Sequence, residues 1–368
     1  MSTPKPSPQH PGQPAEESIG ERKARHLSIC VEADRYRVES GSTGFEHLSF
    51  VHRALPEINA EEVDTGLDFL GKRISMPVLI SSMTGGSDQG YQANKNLARA
   101  AQHAGVPVGM GSMRILFRKP EVFDHFYLKR YAPDVPVFAN MGGVQIRDFA
   151  HHEIIELVRR LEVDALVIHL NPAQELFQPA GDRDFRGIID GISRFCEASP
   201  VPVIVKETGF GIHPAEVERL FDAGVSYVNI AGAGGTNWVT VESYRVDGPL
   251  QAAAEEFSAW GTPTAFLLAA LGRRNGRIIA SGGLRSGMDV AKAVTLGAEL
   301  AGLALPFIRA VVTDGVDGVL EVAETLRKTL EGVMVLTGSQ TLEDLRRVRL
   351  LRTPGFDEQV RLLEEAAT

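Results

Sequence analysis

Apolar and polar positions along this chain follow two alternating periods. Short apolar runs rich in Val, Ile and Ala recur at residues 77–82, 106–110, 136–141, 165–170, 202–206, 227–230, 277–281 and 300–303. Runs of this length, bounded by Pro, Gly and polar residues, read as strands buried on both faces. Helical spacing fills most of the intervals, at 91–104, 121–131, 153–161, 185–198, 214–223, 263–271 and 288–296. The segment at 214 opens with Pro in its first turn, a position that needs no N–H. A long connection precedes 263, and a long helical stretch follows Pro306. Eight strand-helix units predict an α/β fold of the (β/α)8 TIM-barrel type rather than an open doubly wound sheet.

The polar residues gather at one end of these strands. After the apolar runs come Ser82-Met83-Thr84-Gly85-Gly86, Gly111-Ser112-Met113-Arg114, Asn140-Met141-Gly142-Gly143, Lys206-Glu207-Thr208-Gly209, Gly232-Ala233-Gly234-Gly235-Thr236 and Ser281-Gly282-Gly283. The opposite ends carry mostly Val-Pro, Ala and Asp. A barrel builds its site from the loops at the carboxyl ends of its strands, so this asymmetry supports closure. The fourth run is the most pointed: Ala165-Leu166-Val167-Ile168-His169-Leu170 passes into Asn171-Pro172-Ala173-Gln174-Glu175. In a strand, Val167, His169 and Asn171 share one side and Leu166, Ile168 and Leu170 the other. Burying an unpartnered polar group costs roughly 1–3 kcal/mol, so the cluster is either a site or a satisfied core histidine beside an Asn-Pro turn.

Glycine turns after the seventh strand, Gly282-Gly283-Leu284-Arg285, and after the eighth, Gly302-Leu303-Ala304, stand where such barrels hold a phosphate. Lys206 at a strand end suits an anion or an electron-rich ring, or an ion pair with Glu207. Arg114 suits bidentate phosphate binding. Glu175 is the one carboxylate at the centre of the fourth cluster, and a hard oxygen ligand beside a polyphosphate is how Mg2+ is held. The basic run Arg22-Lys23-Ala24-Arg25-His26 is either a ligand contact or a solvated helix face, and His151-His152 read as surface residues.

Composition narrows the class. The chain has 368 residues, 43% hydrophobic and 23% charged, the balance of a globular enzyme, and its net charge of −9 argues against nucleic-acid or acidic-membrane partners. Two distant cysteines, Cys30 and Cys196, offer neither a disulfide framework nor a metal spacing and suit the reducing cytoplasm. No apolar run approaches the ~20 residues of a membrane span. Residues 1–20, with Pro4, Pro6, Pro8, Pro11 and Pro14, read as a disordered tail; 21–352 as the barrel with a short N-terminal extension; 353–368 as a C-terminal tail.

Taken together, the motifs resemble those of the type 2 isopentenyl-diphosphate isomerases, the flavin-dependent form. The likeness runs from about Glu21 to about Leu350, through Arg22-Lys23 with His26, Ser82 to Gly86, Gly111-Ser112 with Arg114, Asn140, His169-Leu170-Asn171 with Gln174-Glu175, Lys206-Glu207 with Gly209 and Gly211, Ala231 to Trp238, and Ser281-Gly282-Gly283. It implies an FMN-containing barrel that interconverts isopentenyl and dimethylallyl diphosphate with Mg2+, using NADPH only to reduce the flavin, and assembling as a homotetramer or homo-octamer. By motif, Ser82, Met83, Thr84, Ser112, Asn140, Lys206 and Thr236 are expected on FMN, with Gly283, Leu284, Arg285, Ala304 and Leu305 around its phosphate. Arg22, Lys23, Ser112, Met113, Arg114 and Gln174 are expected on the diphosphate substrate and Glu175 on Mg2+. Gln174 is the candidate for orienting or relaying a proton, with His169 and Asn171 in support. Met113 stands where many relatives carry Gln, and Leu305 where a polar residue occurs. Two alternatives remain: an FMN-dependent 2-hydroxy-acid oxidase or dehydrogenase, whose His base and Arg clamp are missing from 234–238, and a noncatalytic phospholigand-binding barrel.

Overall fold

Each of the eight apolar runs contains a strand, and the strands close on themselves. The computed structural model describes residues 19–85, 87–274 and 276–366, so most of the expected tail at 1–20, and Gly86 of the first glycine turn, lie outside the described residues. In chain order the elements are α1 (Ile19–Val31), β1 (Leu48–Phe50), β2 (Leu67–Phe69), β3 (Lys72–Ile74), β4 (Val78–Ile80), α2 (Asp88–Ala104), β5 (Val108–Gly109), β6 (Val137–Gly142), α3 (Gly143–Asp148) and α4 (His151–Arg160). They continue with β7 (Ala165–His169), α5 (Pro172–Phe177), α6 (Ile188–Ala198), β8 (Val203–Lys206), α7 (Pro214–Asp222), β9 (Tyr227–Asn229), α8 (Trp238–Ser243), α9 (Gly248–Glu255) and α10 (Thr264–Leu271). The last are β10 (Ile278–Ser281), α11 (Gly287–Thr295), β11 (Leu300–Leu303), α12 (Leu305–Thr337), α13 (Leu342–Arg347), β12 (Leu350–Arg352) and α14 (Phe356–Glu365). The barrel runs β4 through β11 in parallel, with β11 pairing back to β4.

Local chemistry sets the helix ends. Ser87 caps α2 by accepting from the Gly90 N–H, and Gly105, at φ 68, ends it in the left-handed region. Reciprocal capping boxes open α7 at His213 and Glu216, and α11 at Ser286 and Asp289. Strand register decides which side chains enter the barrel. Val167 pairs with Ile204 and Asn140, while Tyr227 pairs with Ile204, so these share the inner side with Phe138, two residues before Asn140. The hairpin β2–β3 closes the barrel floor beneath them: the buried Phe69 ring lies 6.2 Å from Phe138 and 4.9 Å from Tyr227. Asp164 ties this end together, accepting from Lys72 (2.9 Å), Lys129 (2.6 Å) and the Val137 N–H (2.8 Å).

Several expectations need correction. Residues 121–131 form two short 3-10 turns, 120–125 and 128–130, rather than one helix; the buried Phe126 stands between them, its N–H closing the first turn on the Phe123 carbonyl (2.9 Å). The helix expected from 185 begins at Ile188, after Gly187 at φ 70. The connection after β9 holds α8 and α9. Residues 353–368 include a docked helix: Phe356 at the start of α14 is buried, with its ring 5.0 Å from that of Phe266 on α10. Among the described residues α1 already includes Ile19 and Gly20, and β1 pairs with β12 outside the barrel.

Removing the floor plug should be expensive. Phe69→Ala is expected to lower unfolding stability by roughly 3–5 kcal/mol, seen as a lower urea midpoint at unchanged slope.

Candidate active site

The polar residues at the strand ends meet because of register. His169 pairs with Lys206, and Lys206 with Asn229, so the three stand side by side on the inner wall. Asn229 also pairs with Ile279, which puts Ser281 on the same wall, where its hydroxyl donates to Asn229 Oδ1 at 2.6 Å. Ser281 pairs with Gly302, and Gly302 with Leu79, which brings Ser81 into the ring. Above this ring lies a cavity bordered by the ends of β4, β8, β9, β10 and β11, and closed on one side by α1.

Nine of the residues expected on the flavin line that cavity: Ser82, Met83, Thr84, Lys206, Thr236, Gly283, Arg285, Ala304 and Leu305. Three do not. Leu284 is buried in the core and can offer only its main chain; Asn140 is buried and accepts from His169 Nδ1 at 2.9 Å; the Ser112 carbonyl accepts from Lys23 Nζ at 3.0 Å. Leu27, Cys30 and Ile308 supply lining that carries no polar signal in the sequence.

The cavity has the features of a phosphate-bearing ring site. Gly282 and Gly283 adopt φ 99 and 83, and a Cβ on either would run into the main chain of Gly232 or Gly234. The two glycine turns therefore stack backbone on backbone, leaving N–H groups close to a bound anion. α12, which is broken at Gly315 (φ 65), starts at Leu305 on the same rim and adds a helix N-terminus. Among the described residues the buried hydroxyl oxygens of Ser81 and Thr84 have no hydrogen-bond partner, which leaves them open to a ligand. These features fit FMN.

Beside this cavity lies a cationic cluster. Lys23 is pushed down to about 8 by burial and by the charge of Arg22, and Lys206 to about 8 by burial. Arg22 is lowered by burial and feels the charges of Glu175, Arg245, Glu242 and Arg114. Among the described residues Arg114 Nε is buried without a hydrogen-bond partner, and Nη1 lies 3.7 Å from Asp182. Met113, expected on the substrate, is fully buried among apolar residues.

Asn171, at the start of α5, donates to Gln174 Oε1 and to Glu175 Oε1, both at 3.0 Å. Gln174 Nε2 donates to Glu242 Oε1 at 2.9 Å, which fixes the amide's orientation. Glu242, wholly buried on α8, also lies 3.0 Å from His26 Nε2 and pairs with Arg245. Burial alone would raise its pKa, but the His26 hydrogen bond and the nearby cations hold it below the usual carboxylate value. Glu242 escaped sequence reasoning because a lone Glu on a helix reads as solvated. His169 is pushed down to about 3 by burial and by the charges of Lys206, Lys23 and Arg114, so it is neutral at physiological pH. Glu175 Oε2 accepts from the Asp182 N–H (2.8 Å) and Gln178 Nε2 (3.2 Å). Among the described residues no three His, Cys, Asp or Glu side chains gather as a metal cage. Glu175 therefore fits Mg2+ only as a single protein ligand to an ion shared with substrate phosphates.

The comparisons agree with this geometry. The FMN-dependent dehydrogenase family matches residues 27–116 and 169–352. An isopentenyl-diphosphate delta-isomerase of Borreliella afzelii is 44% identical over 332 residues, covering 90% of this chain and 93% of that protein. Those of Nostoc (43%; 88% and 93% covered) and Methanothermobacter thermautotrophicus (42%; 91% and 94%) are similar over the same extent. Among solved structures, a Pediococcus acidilactici lactate oxidase superposes with TM-score 0.59 at 21% identity, covering 89% of this chain and 86% of that one. A mandelate oxidase bound to (S)-2-phenylpropionate gives 0.58 at 19%, covering 89% and 93%. These two likenesses establish the fold alone.

The buried lysines make anion binding sensitive to pH. Each is charged below its pKa, so affinity for inorganic diphosphate should fall as pH rises through about 8, by up to about tenfold per unit for each charge required. Lys23→Arg keeps its charge and should flatten the fall. Calorimetric titration between pH 6.5 and 9.5 provides the check.

Proposed function

Because the chain belongs to the isopentenyl-diphosphate delta-isomerase family, in the flavin-dependent form that shares the FMN-dependent dehydrogenase barrel, we propose that it interconverts isopentenyl and dimethylallyl diphosphate by a 1,3-proton shift, with FMN and Mg2+ bound. One observation carries this reading: Lys23 and His26 of α1 line the same cavity as the glycine turns of the barrel, so the diphosphate-binding cluster and the flavin site share a wall.

The reaction adds a proton to the terminal alkene carbon and removes one from C2, with positive character developing at the tertiary carbon. Reduced FMN, when bound, supplies an electron-rich ring and a nitrogen able to carry a proton, chemistry that no ordinary side chain offers toward an alkene. The chain's own residues do the rest. Arg22, Lys23 and Arg114 clamp the diphosphate, whose binding energy positions the short hydrocarbon end. Gln174, with its amide set by Asn171 and Glu242, orients or relays the second proton, and anionic Glu242 is the acceptor behind it. Neutral His169 shapes the wall without adding charge. α1 covers the mouth and excludes water.

Glu175 would hold Mg2+ together with diphosphate oxygens. The same reading takes NADPH as reductant of the flavin, a homotetramer or homo-octamer as the assembly, and the cytoplasm as the compartment. Among the described residues no helix is long and apolar enough to cross a membrane.

The test is anaerobic incubation with FMN, Mg2+, NADPH and isopentenyl diphosphate in deuterated water, followed by proton NMR. Dimethylallyl product carrying deuterium is expected; the absence of both product and label would end the isomerase reading. Gln174→Ala should lose roughly 10²–10⁴ in turnover with flavin still bound. Glu242→Gln should lower kcat more than it raises KM. In a magnesium titration Glu175→Gln should need more Mg2+ for half-maximal rate, and an unchanged requirement would remove Glu175 as the metal ligand.

A further inference from the structure

The strap between α1 and the barrel carries a carboxylate that links the two halves of the site. After α1 ends at Val31, the chain returns across the barrel mouth held main chain to main chain. The Asn237 N–H donates to the Val38 carbonyl (2.8 Å), the Ser40 N–H to that of Gly235 (3.3 Å), and the Ala265 N–H to that of Thr43 (2.8 Å). Glu39 sits within this strap, bridged antiparallel to Thr236, which lines the cavity. Its Oε1 accepts from Arg285 Nε (2.8 Å) and Nη2 (2.6 Å), and its Oε2 lies 3.6 Å from Arg309 Nη1. Arg309 Nε in turn donates to the Cys30 carbonyl in the last turn of α1 (3.3 Å). Three contacts thus lead from the β10 glycine turn to the helix that bears Arg22, Lys23 and His26.

Arg285 is held on two sides, since its Nη1 donates to the Leu284 carbonyl at 2.7 Å. A guanidinium has five N–H donors, and these contacts leave one on each terminal nitrogen for another acceptor. The side chain borders the cavity and stands against Gly235, which has no Cβ to displace it.

We propose that Glu39 is a positioning residue: it sets Arg285 for the flavin phosphate and, through Arg309, couples occupancy of the phosphate site to the seating of α1. This rests on the flavin reading above. Coupling of this kind is reciprocal, so a diphosphate that seats α1 also tightens FMN.

The test compares FMN with riboflavin, which has the ring but no phosphate, on full-length protein. Flavin-fluorescence titration of wild type, Glu39→Gln and Glu39→Ala is expected to show FMN weakened by roughly tenfold in both variants and riboflavin unchanged, which also shows that the fold is intact. Trypsin cleavage after Arg25, exposed on α1, is expected to slow when FMN saturates the wild type but not the variants. Unchanged or tighter FMN binding in the variants, or equal protection of Arg25, overturns the role of Glu39. A wild type that binds FMN no better than riboflavin overturns the phosphate site itself, and the coupling with it.

Discussion

Everything at the barrel mouth depends on the register between β7, β8 and β9. It places His169, Lys206 and Asn229 at one height on the inner wall. Because strand side chains alternate, a slip of one residue would turn Ile168, Val205 and Val228 inward and drive the polar three among the helices. All three apolar residues are fully buried in the outer layer, so the same packing that stabilises the barrel also defines its chemistry. The floor plug at Phe69 works from the other end, filling the space that would otherwise let the strands shift.

The electrostatics follow from what those side chains cannot reach. Lys206 is buried next to Glu207, yet Glu207 turns its Oε2 to the N–H groups of Gly209, Phe210 and Gly211. Lys206 Nζ donates to the Glu207 carbonyl, and the charge of Glu207 offsets only part of the effect of burial on the lysine. With Lys23 and Arg22 lowered by the same burial, the site holds a positive potential before any anion arrives. Glu242 answers part of that charge on the far side of Gln174, so one amide stands between the cations and a carboxylate whose pKa is held below its usual value.

Much of this was legible from residue order. Each apolar run contains a barrel strand because double-sided burial leaves an unbroken Val, Ile and Ala signature, and the glycine turns announced close backbone approach. What escaped has a physical cause. The stretch 120–130 closes in short i→i+3 turns, which a pattern of apolar residues at helical spacing does not distinguish from an α-helix. Glu242 and Glu39 take their meaning from partners far away in sequence, Gln174 and Arg285. Leu284 has a side chain in the core while its main chain faces the glycine turn, a division of labour that sequence does not display.

The pairing of β1 with β12 joins residues 48–50 to 350–352, and the first barrel strand pairs with the last. The segment that carries α1 and its strap is therefore fastened by a strand made long after it. Until residues 350–352 leave the ribosome, a nascent chain would expose the glycine turns and the cationic cluster with their cover unsecured.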